Sequence, residues 1–364
     1  MTLRAPGSRA GARPLTVLAW PLDRSGENPY TNNLYAALRD RGIIATEFTF
    51  GALLRAHYDI LHVHWPEGVL PGKPLWRAVP AALAVGLTFA VARLRGARVV
   101  WTVHNERPHR PASEGGLRAL HVGMRMTLSG LLFLSDASRE EFSRSSTWAR
   151  RLPSTVTPHG RFGVRYPQAQ ERRSQARAGL GVTDDETLVA FLGRMESYKG
   201  PLDLVRAYSQ LPSSSGIRLL LAGTVPSNQE GDRLREAIKA APILTEEAWL
   251  DDERFAELSA AADLVVYPYR RILNSGSILV PVEYSTPVLA PDMGSIPEVS
   301  TMLGGDWIRV YDGPLTPDTL ATAATAGRPD SSPNFDSFEW AAIAASTERF
   351  FSGLLSARRR RQLS

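Results

Sequence analysis

Phe191-Leu-Gly-Arg-Met-Glu-Ser-Tyr-Lys-Gly200 decides how this chain is read. An apolar run reaching back to Thr187 breaks at Gly193, presents Arg194 and Lys199, and gives way to a helical pattern over Pro201–Gln210. A strand, a glycine turn and a helix in that order are the repeating unit of a parallel α/β sheet. Two cations in such a turn, beside helix-start N–H groups that carry partial positive charge, suit a pyrophosphate. Arginine contributes a planar fork of donors there and lysine a point charge. The bland alternative is a pair of solvated surface cations.

Outward from this stretch the same unit recurs. Strand patterns fall at Leu15–Trp20, Ile43–Phe50, Asp59–His64, Arg98–His104 and Leu131–Ser135, with helical segments such as Tyr30–Arg41 between them. A second series runs through Thr187–Gly193, Ile217–Gly223, Asp263–Tyr267 and Pro287–Pro291, with helices at Pro201–Gln210 and Asp252–Ala261. Near-continuous apolar strands alternating with helices predict parallel sheets covered on both faces. The Gly/Gln/Arg-rich stretch from about Gly160 to Gly181 reads as a linker between two domains. A Pro/Ser/Asp-rich break near Arg328–Pro333 precedes an aromatic-bearing helix over about Phe335–Phe351. The expected domains are therefore 15–165 and 166–333, then a helix in 334–357 packing back on the first. A basic N-terminus (1–14) and a basic tail (358–364) flank them. Two doubly wound sheets face a central cleft in this reading, and ligands bind beyond the C-terminal strand edges.

The 364 residues contain no cysteine, which removes disulfides and thiolate chemistry. Met1–Pro14 lacks an apolar core and does not read as a signal peptide. The net charge of +5 is unevenly spread: residues 1–170 hold 22 Lys and Arg against 11 Asp and Glu, and the remainder is acidic. A basic front half suits an anionic membrane surface; no nucleic-acid-binding motif is present. Ala78–Ala92 is uncharged, but its 15 residues fall short of the roughly 20 that span a bilayer, so it reads as a buried or interface-lying helix.

Four of the seven histidines sit at strand ends of the front half, in His62-Val-His64-Trp-Pro-Glu67 and Trp101-Thr-Val-His104-Asn-Glu-Arg-Pro-His109. Alternation along a strand puts His62 and His64 on one face, and a zinc site with His104 is weighed and set aside because nothing closes the shell. A structural histidine is the competing reading for His62. In the back half, Tyr267-Pro-Tyr-Arg-Arg-Ile-Leu-Asn-Ser-Gly-Ser277 passes from strand to turn to a helix expected near Ser277, and Pro291-Asp-Met-Gly-Ser-Ile-Pro-Glu298 follows the next strand. The pairs Asp184-Asp185 and Asp251-Asp252 read as solvated charge rather than a metal motif.

Taken together, Gly193-Arg194, Lys199-Gly200, the Ala262–Tyr269 strand, Ser275-Gly276, Thr286-Pro-Val and Gly294 to Glu298 resemble the donor half of GT-B glycosyltransferases related to family GT4. His-Val-His-Trp-Pro-Glu, Thr-Val-His-Asn and Pro158-His-Gly160 resemble the acceptor half. The resemblance implies metal-independent transfer of a sugar from a nucleotide sugar, GDP- or UDP-linked, to a saccharide or lipid-linked acceptor. Exopolysaccharide or glycolipid synthesis in the cytoplasm, at the membrane's inner face, is the implied setting. No cofactor is implied, since the nucleotide sugar is a substrate. Arg194 and Lys199 would neutralise the leaving diphosphate. Gly193, Tyr269, Asn274, Ser275, Gly276, Ser277, Glu283 and Glu298 would complete the donor site. Asn28, Tyr30, His64, Trp65, Glu67, Asn105 and His109 would meet the acceptor. An inverting enzyme would use Glu67 as general base, with His104 and Glu106 behind it; in a retaining one His104 would contact the donor sugar. One departure stands out: the two glutamates the family carries eight positions apart fall here on Ile272 and Val280. A non-catalytic scaffold of the same fold is therefore the alternative, and a same-fold 2-epimerase a third.

Overall fold

The computed structural model describes residues 13–23, 29–104 and 112–363, and the side chains of these up to residue 357. Their strands form two six-stranded sheets. The first contains β1 (Thr16–Trp20), β2 (Ile44–Glu47), β3 (Ile60–His64), β4 (Arg98–Val103), β5 (Gly130–Phe133) and β6 (Ser154–Val156) in the order β2-β1-β3-β4-β5-β6. The second contains β7 (Thr187–Leu192), β8 (Ile217–Ala222), β9 (Leu244–Glu246), β10 (Leu264–Val266), β11 (Val288–Pro291) and β12 (Ile308–Tyr311) in the order β12-β11-β10-β7-β8-β9. Every pairing is parallel. Strand order reverses between β1 and β3 in one sheet and between β7 and β10 in the other. Crevices that take ligands open at such switch points.

By their internal contacts the residues divide into two units. One is Met1–Leu134, Glu141–Thr157 and Trp340–Ser364; the other is Ser135–Glu140 and Pro158–Glu339. The divisions at Thr157 and Trp340 differ from the expected 165 and 334. The expected linker over Gly160–Gly181 is instead folded into the second unit. Its helices Gln168–Glu171 and Arg173–Gly179 are held there by Arg173 and Arg177, whose guanidiniums bond Asp263 Oδ1 and Oδ2 at 2.5 and 2.9 Å. Arg177 is only 4% exposed. The helix expected over Phe335–Phe351 starts at Trp340 and continues to Leu363, after a single 3-10 turn at Asp336–Phe338.

Within the first unit, alternation sorts each strand's side chains between two cores. Leu61, Val63, Val99, Trp101 and Phe133 face helices Leu75–Leu94 and Glu114–Thr127. Ile60, Val100 and Leu132 face helices Tyr30–Asp40 and Trp340–Leu363 through Leu34, Leu38, Ile343 and Phe351. His62, His64 and Thr102 share this second face by register. The second unit has one large core, in which Leu188–Leu192 and Leu219–Ala222 are buried on both sides of the sheet.

Candidate active site

In the second unit, the loops that leave β7, β10 and β11 meet at the C-terminal edge of the sheet, at its switch point. The β7 loop turns at Gly193, whose φ of 106° is closed to most side chains. A Cβ on Gly193 would stand 3.9 Å from Lys199 Nζ, so the ammonium lies against the strand tip. Lys199 ends a 3-10 turn, Ser197–Lys199, ahead of helix Pro201–Tyr208. Burial, and secondarily the Arg194 guanidinium, lower its pKa to about 8. Among the described residues it makes no salt bridge, although the charge of the Glu196 carboxylate partly supports it. Arg194 itself is exposed. Two adjacent cations, one of them desolvated, favour an anion between them.

The three loops are tied together. Arg270 N donates to Tyr198 O at 2.8 Å, while its guanidinium takes both oxygens of Asp203 at 2.6 and 2.7 Å. Ser295 N donates to Leu273 O at 3.0 Å. The helix expected from Ser277 is a single turn, Leu279–Glu283, that begins two residues later and contains Pro281. In place of a helix N-terminus stands a hydroxyl cluster: Tyr269 Oη lies 2.9 Å from Ser275 Oγ, and Ser275 Oγ lies 3.2 Å from Ser277 Oγ. Tyr269 is buried, so it shapes the loop from behind. Asn274 Oδ1 accepts from Ser135 Oγ at 2.9 Å. His159, in the Pro158-His-Gly160 segment and outside the expected site residues, lies with its Cε1 2.5 Å from where a Cβ on Gly276 would be. Only glycine admits that ring.

The apolar replacements of the family's glutamates are packed away, Ile272 against the large core and Val280 beside Tyr284. Glu283, one helical turn past Val280, is buried; its Oε1 accepts from Gly163 N at 3.0 Å and its Oε2 has no partner among the described residues. Burial raises its pKa to about 6. Glu298 is placed differently from the expectation. Its Oε2 accepts from Asp136 N at 2.8 Å, capping the start of helix Asp136–Ser145.

In the first unit the strand-tip residues form a buried chain of hydrogen bonds. His104 Nε2 meets His64 Nδ1 at 3.0 Å, and His64 Nε2 meets Tyr35 Oη at 3.0 Å. Tyr35 Oη meets His62 Nδ1 at 2.9 Å, and His62 Nε2 meets Thr102 Oγ1 at 2.8 Å. Each link carries one hydrogen, so the tautomers of all three imidazoles are coupled. Burial lowers the His62 pKa to about 3 and holds His64 well below the ordinary range. His64, expected at the acceptor, is 2% exposed with both nitrogens committed, and so stands behind the site. Tyr30, expected there too, is 1% exposed, its ring edge-on to His104 and Trp340. Trp65 stacks on His104 with centroids 4.2 Å apart, from a left-handed backbone (φ 47°) that stores strain in a non-glycine residue.

Glu67 follows in the turn Pro66–Val69, at the β1/β3 switch point. It is buried, its Oε2 has no partner among the described residues, and burial raises its pKa to about 7. A carboxyl so tuned at a strand tip can accept a proton near neutral pH. Asn28, Asn105, Glu106 and His109 lie outside the described residues.

Two doubly wound parallel sheets, with cations at the switch point of the second, define a GT-B architecture. Residues 186–325 match the family of glycosyl transferases group 1. The chain is 28% identical over 316 residues to the GDP-mannose:glycolipid 4-beta-D-mannosyltransferase of Xanthomonas campestris pv. campestris, covering 85% of this chain and 83% of that one. It is 29% identical over 329 residues to the D-inositol 3-phosphate glycosyltransferase of Mycobacterium marinum, covering 84% and 66%. Sucrose-phosphate synthase from Thermosynechococcus elongatus shares the fold with a TM-score of 0.64 at 17% identity, over 95% of this chain and all of that one. Anabaena HepE in complex with UDP does so at 0.61 and 16%, over 96% and 99%. The chain is a GT4-like glycosyltransferase of the Leloir type.

Proposed function

We propose that this enzyme transfers a sugar from a nucleotide diphosphate sugar to a lipid-linked or saccharide acceptor in glycolipid or exopolysaccharide synthesis, without a metal ion. The observation that carries this reading is Lys199: a desolvated ammonium with Arg194 beside it, at the edge where three tied loops converge. As the bond from the sugar's anomeric carbon to the diphosphate breaks, negative charge grows on the leaving oxygen, and these fixed cations stabilise it in place of a divalent ion. Ser275 and Ser277 offer hydroxyls to the phosphates or sugar, and the unpartnered Oε2 of Glu283 offers an acceptor for a ribose hydroxyl.

The first-named relative acts, by its name, on GDP-mannose and a glycolipid and forms a β-linkage. We take GDP-mannose as the first donor to test and inversion as the stereochemical course. Inversion needs a base: Glu67 takes the acceptor hydroxyl's proton as that oxygen bonds the anomeric carbon, and the nucleoside diphosphate departs. A thermal-shift series with GDP, UDP, GDP-mannose and UDP-glucose tests the reading, because a ligand that binds only the native state raises its melting temperature. A rise with one nucleotide class and its sugar supports the proposal. No rise with any of them, together with no transfer or hydrolysis of the donors, contradicts it and favours a scaffold.

A further inference from the structure

Helix Leu75–Leu94 is apolar on two opposite faces. Ala78, Ala82, Val85, Phe89 and Ala92 are buried, at the spacing of an inner stripe. Trp76, Leu83, Leu87 and Leu94 are exposed at 68%, 60%, 66% and 87%. Their separations of 7, 4 and 7 residues put them on one line along the opposite side of the helix. The helix is 20 residues long, where the sequence reading allowed fifteen, and meets the length and apolarity of a membrane span, yet only 33% of its most apolar window is buried. A helix whose inner stripe is locked into the first unit's core cannot cross a bilayer without dismantling that core. Its outer face can lie on one.

The neighbouring helix Glu114–Thr127 extends this face. The two run side by side, and the backbones come close enough that a Cβ on Gly123 would stand 3.1 Å from Gly86 Cα. Both cover the same side of the sheet, so their outer faces look the same way. The second contributes exposed Val122 and Met126, interleaved with exposed Arg118 and Arg125. Lys73 and Arg77 stand at the entrance of the first helix, Arg77 over the Trp76 ring at 4.4 Å. Among the exposed residues of these two helices and the turn before the first, four cations face a single acid, Glu114.

We infer that this two-helix face docks on an anionic lipid surface, the six apolar side chains entering the interface and Lys73, Arg77, Arg118 and Arg125 pairing with lipid phosphates. The charge pattern selects lipid: long cationic side chains around an apolar centre, with an indole at one end, suit a headgroup layer. The face belongs to the first unit and the donor loops to the second, and the inference rests on the proposed function only in giving the enzyme access to a lipid-linked acceptor.

Flotation of the full chain with phosphatidylcholine vesicles, with and without phosphatidylglycerol, tests it. Binding that needs the anionic lipid and weakens with salt is expected, and Leu83→Glu/Leu87→Glu reduces it by about tenfold or more, since adsorption scales with buried apolar area. Both leucines point outward, so the nucleotide-induced thermal shift of that variant stays at the wild-type value, which reports the donor reading separately. Arg118→Glu/Arg125→Glu gives the same loss on anionic vesicles with the apolar side chains intact. Equal vesicle binding by wild type and both variants overturns the inference. So does a concentration-dependent dimer that Leu83→Glu/Leu87→Glu abolishes with no vesicle binding by the wild type, which would make the face an interface between copies of this chain.

Discussion

His64 Nδ1 lies 3.0 Å from His104 Nε2, and through that contact the strand-tip imidazole is joined to Tyr35, His62 and Thr102 in one unbroken line. Burial disfavours the charged form of His62 and His64. His62 titrates at about 3 in the folded chain and near its ordinary value once unfolded. Between those values the unfolded chain binds more protons, so stability is full above about pH 6.5 and falls as pH drops. The slope is up to about 1.4 kcal/mol per pH unit for each such imidazole. Melting temperatures measured from neutral pH downward should fall steeply below about pH 6.5, and His62→Gln should flatten that fall whatever its effect at pH 7. An unchanged slope in the variant would show that His62 is not held neutral.

Burial raises the folded pKa of Glu67 to about 7, and the proposed general base acts in its ionised form. The rate constant kcat/KM should climb with pH through a midpoint near that value. Glu67→Gln should lower kcat by a hundredfold to ten-thousandfold, roughly the range for loss of a general base, with little change in the nucleotide-induced thermal shift. Turnover that survives the substitution would remove Glu67 from the chemistry.

Asp263 is a structural prediction. Its carboxylate receives Arg173, Arg177 and the backbone N of Leu188. Asp263→Ala leaves the buried Arg177 charge without its partner and should cost about 3–5 kcal/mol, seen as a lower denaturation midpoint. A loss below about 1 kcal/mol, the scale of an exposed pair, would mean the guanidinium is solvated.

Glu298 separates capping from ligand binding. Glu298→Ala should cost about 1 kcal/mol through the exposed start of helix Asp136–Ser145, with donor KM nearly unchanged. A large rise in donor KM at unchanged stability would restore it to the donor site.

Much of this was legible in the sequence, and the reasons for success and failure are physical. Strands buried on both faces, such as Leu188–Leu192, announce themselves as apolar runs. The edge strands Ser154–Val156, Leu244–Glu246 and Ile308–Tyr311 escaped because they are short and partly exposed, and so carry polar residues. Gly160–Gly181 read as linker because its composition is polar; the acid that organises it, Asp263, lies 86 positions beyond Arg177. At the candidate site, Arg194, Lys199 and Glu67 stood out because they follow strand ends, where parallel sheets meet ligands. The alliance of His62 and His64 with Tyr35 did not show, since it depends on a helix 27 and 29 residues upstream. The contact of His159 with Gly276 spans still more chain, and no local pattern signals it.

The desolvated ammonium of Lys199 is the centre of the account, and calorimetric titration of the nucleoside diphosphate tests it most directly. Because its pKa is lowered to about 8, wild-type affinity should hold at pH 7 and weaken above pH 8 as the charge is lost. In Lys199→Ala that pH dependence should vanish and Kd should rise by about a hundredfold, the scale of one charge-assisted contact, at a melting temperature no lower than the wild type's. Equal affinity and an equal pH profile in the wild type and Lys199→Ala would contradict the claim that this loop grips the diphosphate.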